Sequence, residues 1–231
     1  MEESLSKFPQ HVAIIMDGNR RWAGLQSKGD YFGHKAGLER VSDVIQNSLS
    51  LNIKYLTLYA FSSENWNRSE SEVSNLKFLM NAFLDKHSNE LIAKNVRLRV
   101  IGNYEDFGKN IAKKIEDVVA KSLANSGMHL TIALSYGSKN EILRAVNNIC
   151  QDGLKNVDQK QFSSYLYTHD LPDPDLMIRT GGEYRLSNFL LWQMAYAELY
   201  FTDILWPDFD KNSLLKACEF FVSKNRRFGG D

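Results

Sequence analysis

Runs of apolar residues, mostly β-branched or aromatic, recur along this chain, and each run ends abruptly at polar residues. Continuous runs of this length predict buried strands. They lie at residues 11–16, 54–61, 129–135 and 176–180, and a fifth run at 96–101 alternates polar and apolar positions. Alternation predicts a strand with one polar face, either at an edge of the sheet or half exposed.

Between these runs, apolar residues return at the spacing of one helix face. The segments concerned are residues 33–51, 71–94, 107–123, 141–150, 159–167 and 212–224. Strands that alternate with helices predict an α/β fold with a central, mostly parallel sheet flanked by helices. A length of 231 residues suits one such unit, so we expect residues 1–231 to form a single domain.

The 71–94 segment is apolar around more of its circumference than one core-facing side requires. Such a helix adds core, contacts another subunit or lines an apolar cavity, and the pattern leaves these three possibilities open. At about 1.5 Å per residue the helix is about 35 Å long, which suffices to flank an extended hydrophobic chain.

The first apolar run is followed by Asp17, a Gly18-Asn19 turn and two arginines, Arg20 and Arg21. Ligands of open α/β sheets bind outside the carboxyl ends of the strands. A glycine-containing turn leaves backbone N–H groups free to face an anion. The cluster therefore indicates a metal-plus-phosphate site, and an ordinary Asp-Gly turn with two solvated arginines is the alternative.

Polar residues also follow two later strands. The 62–68 segment is either a functional loop or a solvated connection, although its tryptophan and arginine favour function. The 179–188 segment places two arginines around a Gly-Gly turn, with Ser187 close behind, which predicts a second anion cradle.

His34, near the start of a helix, is either a donor to an anion or a simple cap. Glu198 lies in an apolar, aromatic segment, where a carboxylate requires a metal or a positive partner.

The composition excludes two classes of partner. Lysine plus arginine equals aspartate plus glutamate at 28 each, so no overall positive field attracts nucleic acid and an anion site must be built locally. The first residues are acidic, and no apolar run reaches the roughly 18 residues of a membrane span. We therefore expect a soluble, cytoplasmic protein with at most peripheral membrane contact.

Cys150 and Cys218 lie in helical patterns and are expected to be buried and reduced.

Several sequence blocks, in this order, resemble the cis-prenyltransferase family over nearly the whole chain. The first two blocks read His-Val-Ala-Ile-Ile-Met-Asp-Gly-Asn and Phe-Ser-Ser-Glu-Asn-Trp-Asn-Arg. The blocks lie at residues 11–19, 61–68, 178–183, 187–193, 195–199 and 206–209. Several residues depart from the family pattern. Arg20 stands where bacterial members usually have glycine, Asp30 where an arginine commonly assists the diphosphate, and Tyr184 where a histidine is frequent, while Ser135 and Ser138 interrupt the usual Asn-Tyr-Gly-Gly.

The resemblance implies a role for each matching residue. Asp17 is the catalytic aspartate that engages Mg²⁺ and the diphosphate, and Glu198 is a second acid associated with Mg²⁺. The allylic diphosphate loop comprises Gly18, Asn19, Arg20, Arg21 and Trp22, assisted by His34. The mobile loop that closes the site comprises Ser62, Ser63, Glu64, Asn65, Trp66 and Arg68, and Asn65 is a catalytic residue that in this family is often assigned the proton-accepting role. Because an amide is a poor base, we expect Asn65 to orient the proton and a diphosphate oxygen to receive it. The isopentenyl diphosphate site comprises Arg179, Arg185, Leu186 and Ser187. The tail residues Arg227 and Gly229 reach a diphosphate across a homodimer.

The implied activity is Mg²⁺-dependent, successive condensation of isopentenyl diphosphate onto an allylic primer such as farnesyl diphosphate, with cis double bonds. The product is a long-chain polyprenyl diphosphate such as undecaprenyl diphosphate, a precursor of the lipid carrier for cell wall synthesis. Helices 34–51 and 71–94 would wall a hydrophobic tunnel, with Phe83, Leu84 or Leu130 as its floor.

Three other classes of protein fit the sequence less well. A haloacid-dehalogenase-type phosphatase needs an acid at Ile15, and a trans-prenyltransferase needs an Asp-Asp-x-x-Asp motif that the chain lacks. A non-catalytic partner subunit typically lacks the loop aspartate and arginines, which are present here.

Overall fold

The computed structural model describes residues 8–226. Six strands run in chain order as β1 (His11–Ile15), β2 (Tyr55–Ser62), β3 (Arg97–Ile101), β4 (His129–Tyr136), β5 (Leu176–Arg179) and β6 (Glu198–Phe201). Seven helices accompany them: α1 (Asn19–Leu25), α2 (Asp30–Ser50), α3 (Glu70–Ala93), α4 (Lys109–Ser122), α5 (Ser138–Gln151), α6 (Gln159–Ser164) and α7 (Lys211–Val222). Three 3₁₀ turns lie at Ser63–Asn67, Tyr104–Phe107 and Trp206–Asp208.

The strands form one sheet in the order β3-β4-β2-β1-β5-β6, and every pair is parallel. The predicted α/β fold with a mostly parallel sheet is therefore confirmed, and β3 is an edge strand as its alternating pattern predicted. At the centre, Ile15 of β1 is in register with Tyr59 of β2 and with Arg179 of β5. The residues that follow these three strands consequently meet at one edge of the sheet.

The core lies on both faces of the sheet because β1 is buried along its whole length. Val12 and Ile14 belong to the larger apolar cluster, which also contains residues of α2, α3 and α7. Ala13 and Ile15 belong to a second cluster on the other face. A strand covered on both faces reads as a continuous apolar run, which is why the sequence predicts it well.

Two short elements were not predicted. α1 has seven residues and no side-chain cap hydrogen bond, so it carries no start signal, and the prediction of a mere turn after Asp17 was incomplete. It is stabilised by close packing on α2, where a Cβ at Gly33 would lie 2.1 Å from the Asn19 carbonyl oxygen. β6 has four residues of mixed exposure, too few for its apolar surroundings to indicate a strand.

The two cysteines differ in environment. Cys218 is buried, and burial raises the pKa of its thiol to about 12. Cys150 is exposed, so the expectation that both would be buried was wrong for this residue. Its helix, α5, carries apolar residues around more than one face. Among residues 8–226, no helix combines the length and the apolarity that crossing a bilayer requires.

Candidate active site

A cavity of about 1020 Å³ opens at the carboxyl edge of the sheet, between α2, α3 and the loops that follow β1, β2 and β5. Its rim is polar and charged, with residues from all three predicted polar clusters. Its interior is apolar, lined among others by Leu38, Val41, Leu79, Met80, Phe83 and Leu84. Leu130, expected as a possible floor residue, is fully buried and is not among the lining residues, whereas Phe83 and Leu84 are.

The backbone of Asp17 is fixed from two neighbouring segments. Its N–H donates to Thr180 Oγ1 at 2.9 Å, and its carbonyl oxygen accepts from Thr180 Oγ1 at 2.7 Å and from the Trp206 N–H at 3.0 Å. Thr180 is fully buried. The end of β1 is therefore tied to the end of β5 independently of any side-chain ion pair.

The Asp17 carboxylate lies between two guanidinium groups. Its Oδ2 accepts from Arg179 Nη2 at 2.9 Å, and its Oδ1 is 3.4 Å from Arg21 Nη2. Space for Arg21 depends on Gly181, where a Cβ would lie 2.6 Å from that same Nη2. The side chain of Asp17 remains 32% exposed toward the cavity, so it can still reach a bound ion or ligand.

Arg179 also organises the second cradle. It is 3% exposed, and its Nη1 donates to Ser187 Oγ at 2.7 Å and to the Arg185 carbonyl oxygen. Its Nε is buried without a hydrogen-bond partner. One buried guanidinium thus joins Asp17 to the 185–187 loop.

The 62–68 segment forms a 3₁₀ turn that begins with a capping box. Asn65 Oδ1 accepts from the Ser62 N–H at 3.1 Å, and Asn188 Nδ2 donates to Glu64 Oε1 at 2.8 Å. Burial alone would raise the pKa of Glu64, but hydrogen bonds from Asn188, Ser62 and Ser63 outweigh it, so the pKa is lowered overall. The segment is therefore linked directly to the second cradle.

Glu72 is a buried acid that sequence reasoning missed. Its Oε1 accepts from Arg68 Nη1 at 2.7 Å and lies 3.2 Å from His34 Nε2. Burial lowers the pKa of His34 despite the opposing effect of Glu72, so the neutral ring donates from Nε2 to the carboxylate. Glu72 lies four residues after Arg68, and this i,i+4 spacing of opposite charges could have predicted their contact from the sequence. The Nε2 donor of His34 is thus already used by Glu72, where an anion contact had been expected.

Two of the departures from the family pattern contact each other. Arg20 Nε lies 2.9 Å from Asp30 Oδ2, and Arg20 Nη1 lies 3.9 Å from Glu72 Oε2. Both Arg20 and Asp30 line the cavity. The Arg20 guanidinium is therefore paired with the Asp30 carboxylate at the rim, where the two charges offset each other.

Not every predicted site residue faces the cavity. Those that line it are Asp17, Gly18, Asn19, Arg20, Arg21, His34, Ser62, Glu64, Asn65, Arg68, Arg179, Arg185 and Ser187. Five others are described but lie outside its lining: Trp22, Ser63, Trp66, Leu186 and Glu198. The Trp22 indole donates to Asp208 at 2.8 Å, and Trp66 packs against Phe61 and Phe107. The structure does not support direct contact of Trp22 or Trp66 with substrate, because both rings face neighbouring protein residues.

Glu198 is not near Asp17 within the protomer, which corrects the expectation of one shared metal site. It begins β6 in register with Leu176, three residues before the pair Arg179 and Phe201. At about 3.3 Å per residue this places it about 10 Å toward the amino edge of the sheet. Arg226 lies at that same edge, where its Nη1 donates to Asp175 at 2.9 Å. Arg227 and Gly229 lie outside the described residues.

Asp17 fits a magnesium ion as the carboxylate that binds it together with substrate phosphates. Mg²⁺ is usually held by one or two carboxylates, with phosphate oxygens and waters completing an octahedron. Over residues 8–226, no three His, Cys, Asp or Glu side chains converge to hold a metal by themselves. The donor set therefore suits an ion that arrives with a diphosphate, and Glu198 does not belong to it.

Known proteins resemble this chain over almost its entire length. An isoprenyl transferase of Neisseria meningitidis serogroup A is 47% identical over 222 residues, covering 96% of this chain and 90% of the relative. A ditrans,polycis-undecaprenyl-diphosphate synthase of Photorhabdus laumondii, named as (2E,6E)-farnesyl-diphosphate specific, is 47% identical over 231 residues, covering 97% and 91%.

The fold also matches a solved structure. Lavandulyl diphosphate synthase from Lavandula x intermedia, in complex with dimethylallyl diphosphate, superimposes with a TM-score of 0.93 at 35% identity, covering 97% of this chain and 99% of that one. The prenyltransferase family model described as "Putative undecaprenyl diphosphate synthase" matches residues 15–229. This chain therefore belongs to that prenyltransferase family.

Proposed function

We propose that this protein condenses isopentenyl diphosphate repeatedly onto an allylic diphosphate primer, forming cis double bonds and a long-chain polyprenyl diphosphate. Farnesyl diphosphate is the proposed primer and undecaprenyl diphosphate the proposed product, which would serve lipid-carrier synthesis for the cell wall. The names of the relatives support the reaction class. We place the reaction in the cytoplasm, with at most peripheral membrane contact when the product leaves.

One observation carries the proposal. Three loops that are far apart in sequence converge on the rim of a single cavity whose interior is apolar. The rim supplies five guanidinium groups, from Arg20, Arg21, Arg68, Arg179 and Arg185. A ligand with a strongly anionic head and a long apolar tail matches both parts of this cavity.

The rim residues act on charge that develops as the reaction proceeds. When the allylic C–O bond breaks, its electron pair stays on the departing diphosphate, and Arg21 with the amides of the Gly18 turn stabilises that charge. Arg185 and the Arg179–Ser187 pair hold the second diphosphate, so that its alkene lies close to the allylic carbon. The alkene forms the new C–C bond, and the proton lost next to it leaves the new double bond.

Asn65 orients the transferred proton rather than accepting it. Its Oδ1 accepts from the Ser62 N–H, and its N–H₂ group can donate to a ligand. An N–H donor can hold a diphosphate oxygen in place, and that oxygen is the proposed proton acceptor. Mg²⁺ held by Asp17 would neutralise charge on the departing diphosphate.

The cavity interior is the proposed site of the growing chain. Leu38 and Val41 of α2 line it together with Leu79, Met80 and Phe83 of α3, which supports α2 and α3 as the proposed tunnel walls. Phe83 and Leu84 are the proposed floor.

We further propose that the protein works as a homodimer. Leu143, Val146 and Cys150 are exposed and fall on one face of α5. Leu199 is exposed on the edge strand β6, and the exposed Leu191 has its N–H bonded to Ser138 at the start of α5. Exposed apolar stripes and an uncovered strand edge are typical of a surface that pairs with another copy.

The test is incubation of the purified protein with labelled isopentenyl diphosphate, farnesyl diphosphate and Mg²⁺, followed by chromatographic sizing of the products. We expect long products, loss of activity with chelator and at least a 100-fold loss in Asp17→Asn. Asp43→Asn, which alters an exposed acid paired with Arg40, is the control and should keep full activity. Absence of any condensation product by the wild type would overturn the proposal, and short products alone would overturn its chain-length part.

A further inference from the structure

Trp66 is held by a chain of hydrogen bonds behind the cavity. Its indole Nε1 donates to Ser135 Oγ at 2.8 Å, and Ser135 Oγ donates to Asp106 Oδ2 at 2.6 Å. The ring packs against Phe61 and Phe107, with centroid distances of 4.8 and 5.2 Å. Trp66 is thus fixed by both polar and apolar contacts.

Ser135 has an unusual backbone for this task. It is the penultimate residue of the buried strand β4 and has φ at 49°, in the left-handed region that residues other than glycine, asparagine and aspartate rarely adopt. Its carbonyl oxygen accepts from the Asn103 N–H at 3.2 Å, next to Gly102. Strained residues persist where surrounding structure fixes them, and they concentrate at functional sites.

The hydrogen-bond chain is one of three attachments of the 62–68 segment, and it differs from the other two. Glu64 is bonded to Asn188 and Arg68 to Glu72, and of these four residues Glu64, Asn188 and Arg68 line the cavity. Those groups face the diphosphates, so substrates can compete for them. Trp66, Ser135 and Asp106 are described residues outside the cavity lining, so their contact does not compete with substrate.

We propose that Ser135 and Asp106 are positioning residues for the condensation reaction, which hold the 62–68 segment in its reactive place through the Trp66 indole. Asn65 immediately precedes Trp66 and lines the cavity, so a fixed indole fixes the neighbouring amide. The inference rests on the proposed function, because its catalytic consequence is a change in prenyl transfer.

The expected effect is on turnover more than on substrate affinity. Arg21, Arg179 and Arg185 lie outside the 62–68 segment and still bind the diphosphates when the segment is loose. Ser135→Ala should therefore lower kcat about tenfold and change KM for isopentenyl diphosphate less than about threefold. Asp106→Ala leaves the Ser135 hydroxyl without its acceptor and should lower kcat about threefold.

Ser135→Gly distinguishes the effect of losing the hydroxyl from the effect of straining the backbone. Glycine adopts a φ of 49° without strain, so this variant should fold at least as well as Ser135→Ala and yet show the same loss of kcat. Ser122→Ala is the matched control. Its buried hydroxyl accepts from the Leu98 N–H at 3.0 Å at the other end of β3, and its removal should leave kcat unchanged.

A spectroscopic measurement tests the anchor without substrates. In ¹⁵N-tryptophan-labelled protein, the indole resonance absent from Trp66→Phe belongs to Trp66. Ser135→Ala and Ser135→Gly should shift this resonance and speed its hydrogen exchange, and Ser122→Ala should not. An unshifted resonance, or a shifted resonance with unchanged kcat, overturns the inference. An inactive wild type overturns the proposed function instead, and the two failures are therefore distinguishable.

Discussion

At the scale of single residues, Asn65 shows how a local hydrogen bond decides a chemical role. Its carbonyl oxygen is used by the Ser62 N–H within the capping box. The capping box does not use the two N–H donors of the amide, so the side chain can meet a ligand through them.

Asn65→Asp tests this role because it keeps the internal acceptor and removes both donors. We expect single-turnover condensation to fall at least about 100-fold, since the carboxylate also adds negative charge beside two diphosphates. Asn67→Asp, an exposed change in the same 3₁₀ turn, should retain activity within about threefold. Full activity of Asn65→Asp would show that the acceptor oxygen matters and not the donors.

His11 predicts how stability depends on pH. It is buried, with Nδ1 2.7 Å from the Pro172 carbonyl oxygen and Nε2 2.8 Å from Thr57 Oγ1. The carbonyl can only accept, so Nδ1 carries the proton and Nε2 accepts from the threonine. Burial lowers the pKa of His11 to about 4, despite opposing effects of Pro172 and Asp175.

The unfolded chain therefore binds a proton at a higher pH than the folded one, near 6.5. As the pH falls from about 6.5 to about 4, the free energy of unfolding should drop by about 3 kcal/mol through this residue alone. His11→Gln should flatten the curve in that interval when unfolding is measured by denaturant at several pH values. An unchanged slope would contradict a neutral, buried His11.

Site residues were predictable from the sequence where charged or polar side chains lie at the end of a predicted strand, and were less predictable elsewhere. Asp17 and Arg179 end apolar runs, so the parallel-sheet rule alone brings them together. Glu72 and Thr180 sit inside helix and strand patterns, where an acid or hydroxyl usually has a local role. Only the three-dimensional packing shows that Glu72 joins His34 to Arg68, and that Thr180 fixes Asp17.

At the scale of elements, length decided what the sequence could predict. The long helices α2 and α3 and the buried strands carry enough periodic positions to be recognised, whereas α1 and β6 have seven and four residues. Short elements form because neighbours pack on them, as Gly33 does on Asn19, and this information is not local. α3 was predicted at 71–94 and spans Glu70–Ala93.

α3 also provides the test of product length. Phe83 is buried and lines the cavity, so Phe83→Ala should lengthen the products by enlarging the interior. Leu176→Ala, fully buried in β5 and outside the lining, is the control for lost packing and should leave product length unchanged. Each change should destabilise the fold by about 3 kcal/mol. Identical product sizes for Phe83→Ala and wild type would remove Phe83 from the floor.

At the scale of the whole molecule, Glu198 lies at the amino edge of the sheet, away from the cavity. Arg226, the last described residue before the expected tail residues Arg227 and Gly229, lies at the same edge. The position of Glu198 could not be inferred from residue chemistry, because an acid in an apolar segment does not indicate which end of a strand it occupies. A diphosphate bound by a second copy of the chain stays the predicted destination of Arg227 and Gly229.

The exposed apolar face of α5 is the surface that we expect to form the homodimer interface. Leu143→Glu places a charge on an apolar residue that is 61% exposed, and should convert a dimer to monomers in sedimentation velocity. Leu123→Glu changes a residue that is 58% exposed on another surface and should leave the sedimentation coefficient unchanged. A monomeric wild type, or equal sedimentation of wild type and Leu143→Glu, would rule out this interface.

The arrangement of a charged rim over an apolar interior has a consequence for processivity. In the proposed reaction, new units join at the anionic head, which the arginines would hold at the rim, while the tail would advance into the apolar interior. Each intermediate is thus bound at both ends and gains buried apolar surface with every added unit. Dissociation should become rarer as the chain lengthens, until the space is filled and further growth strains the fold, so that the available room sets the length of the product.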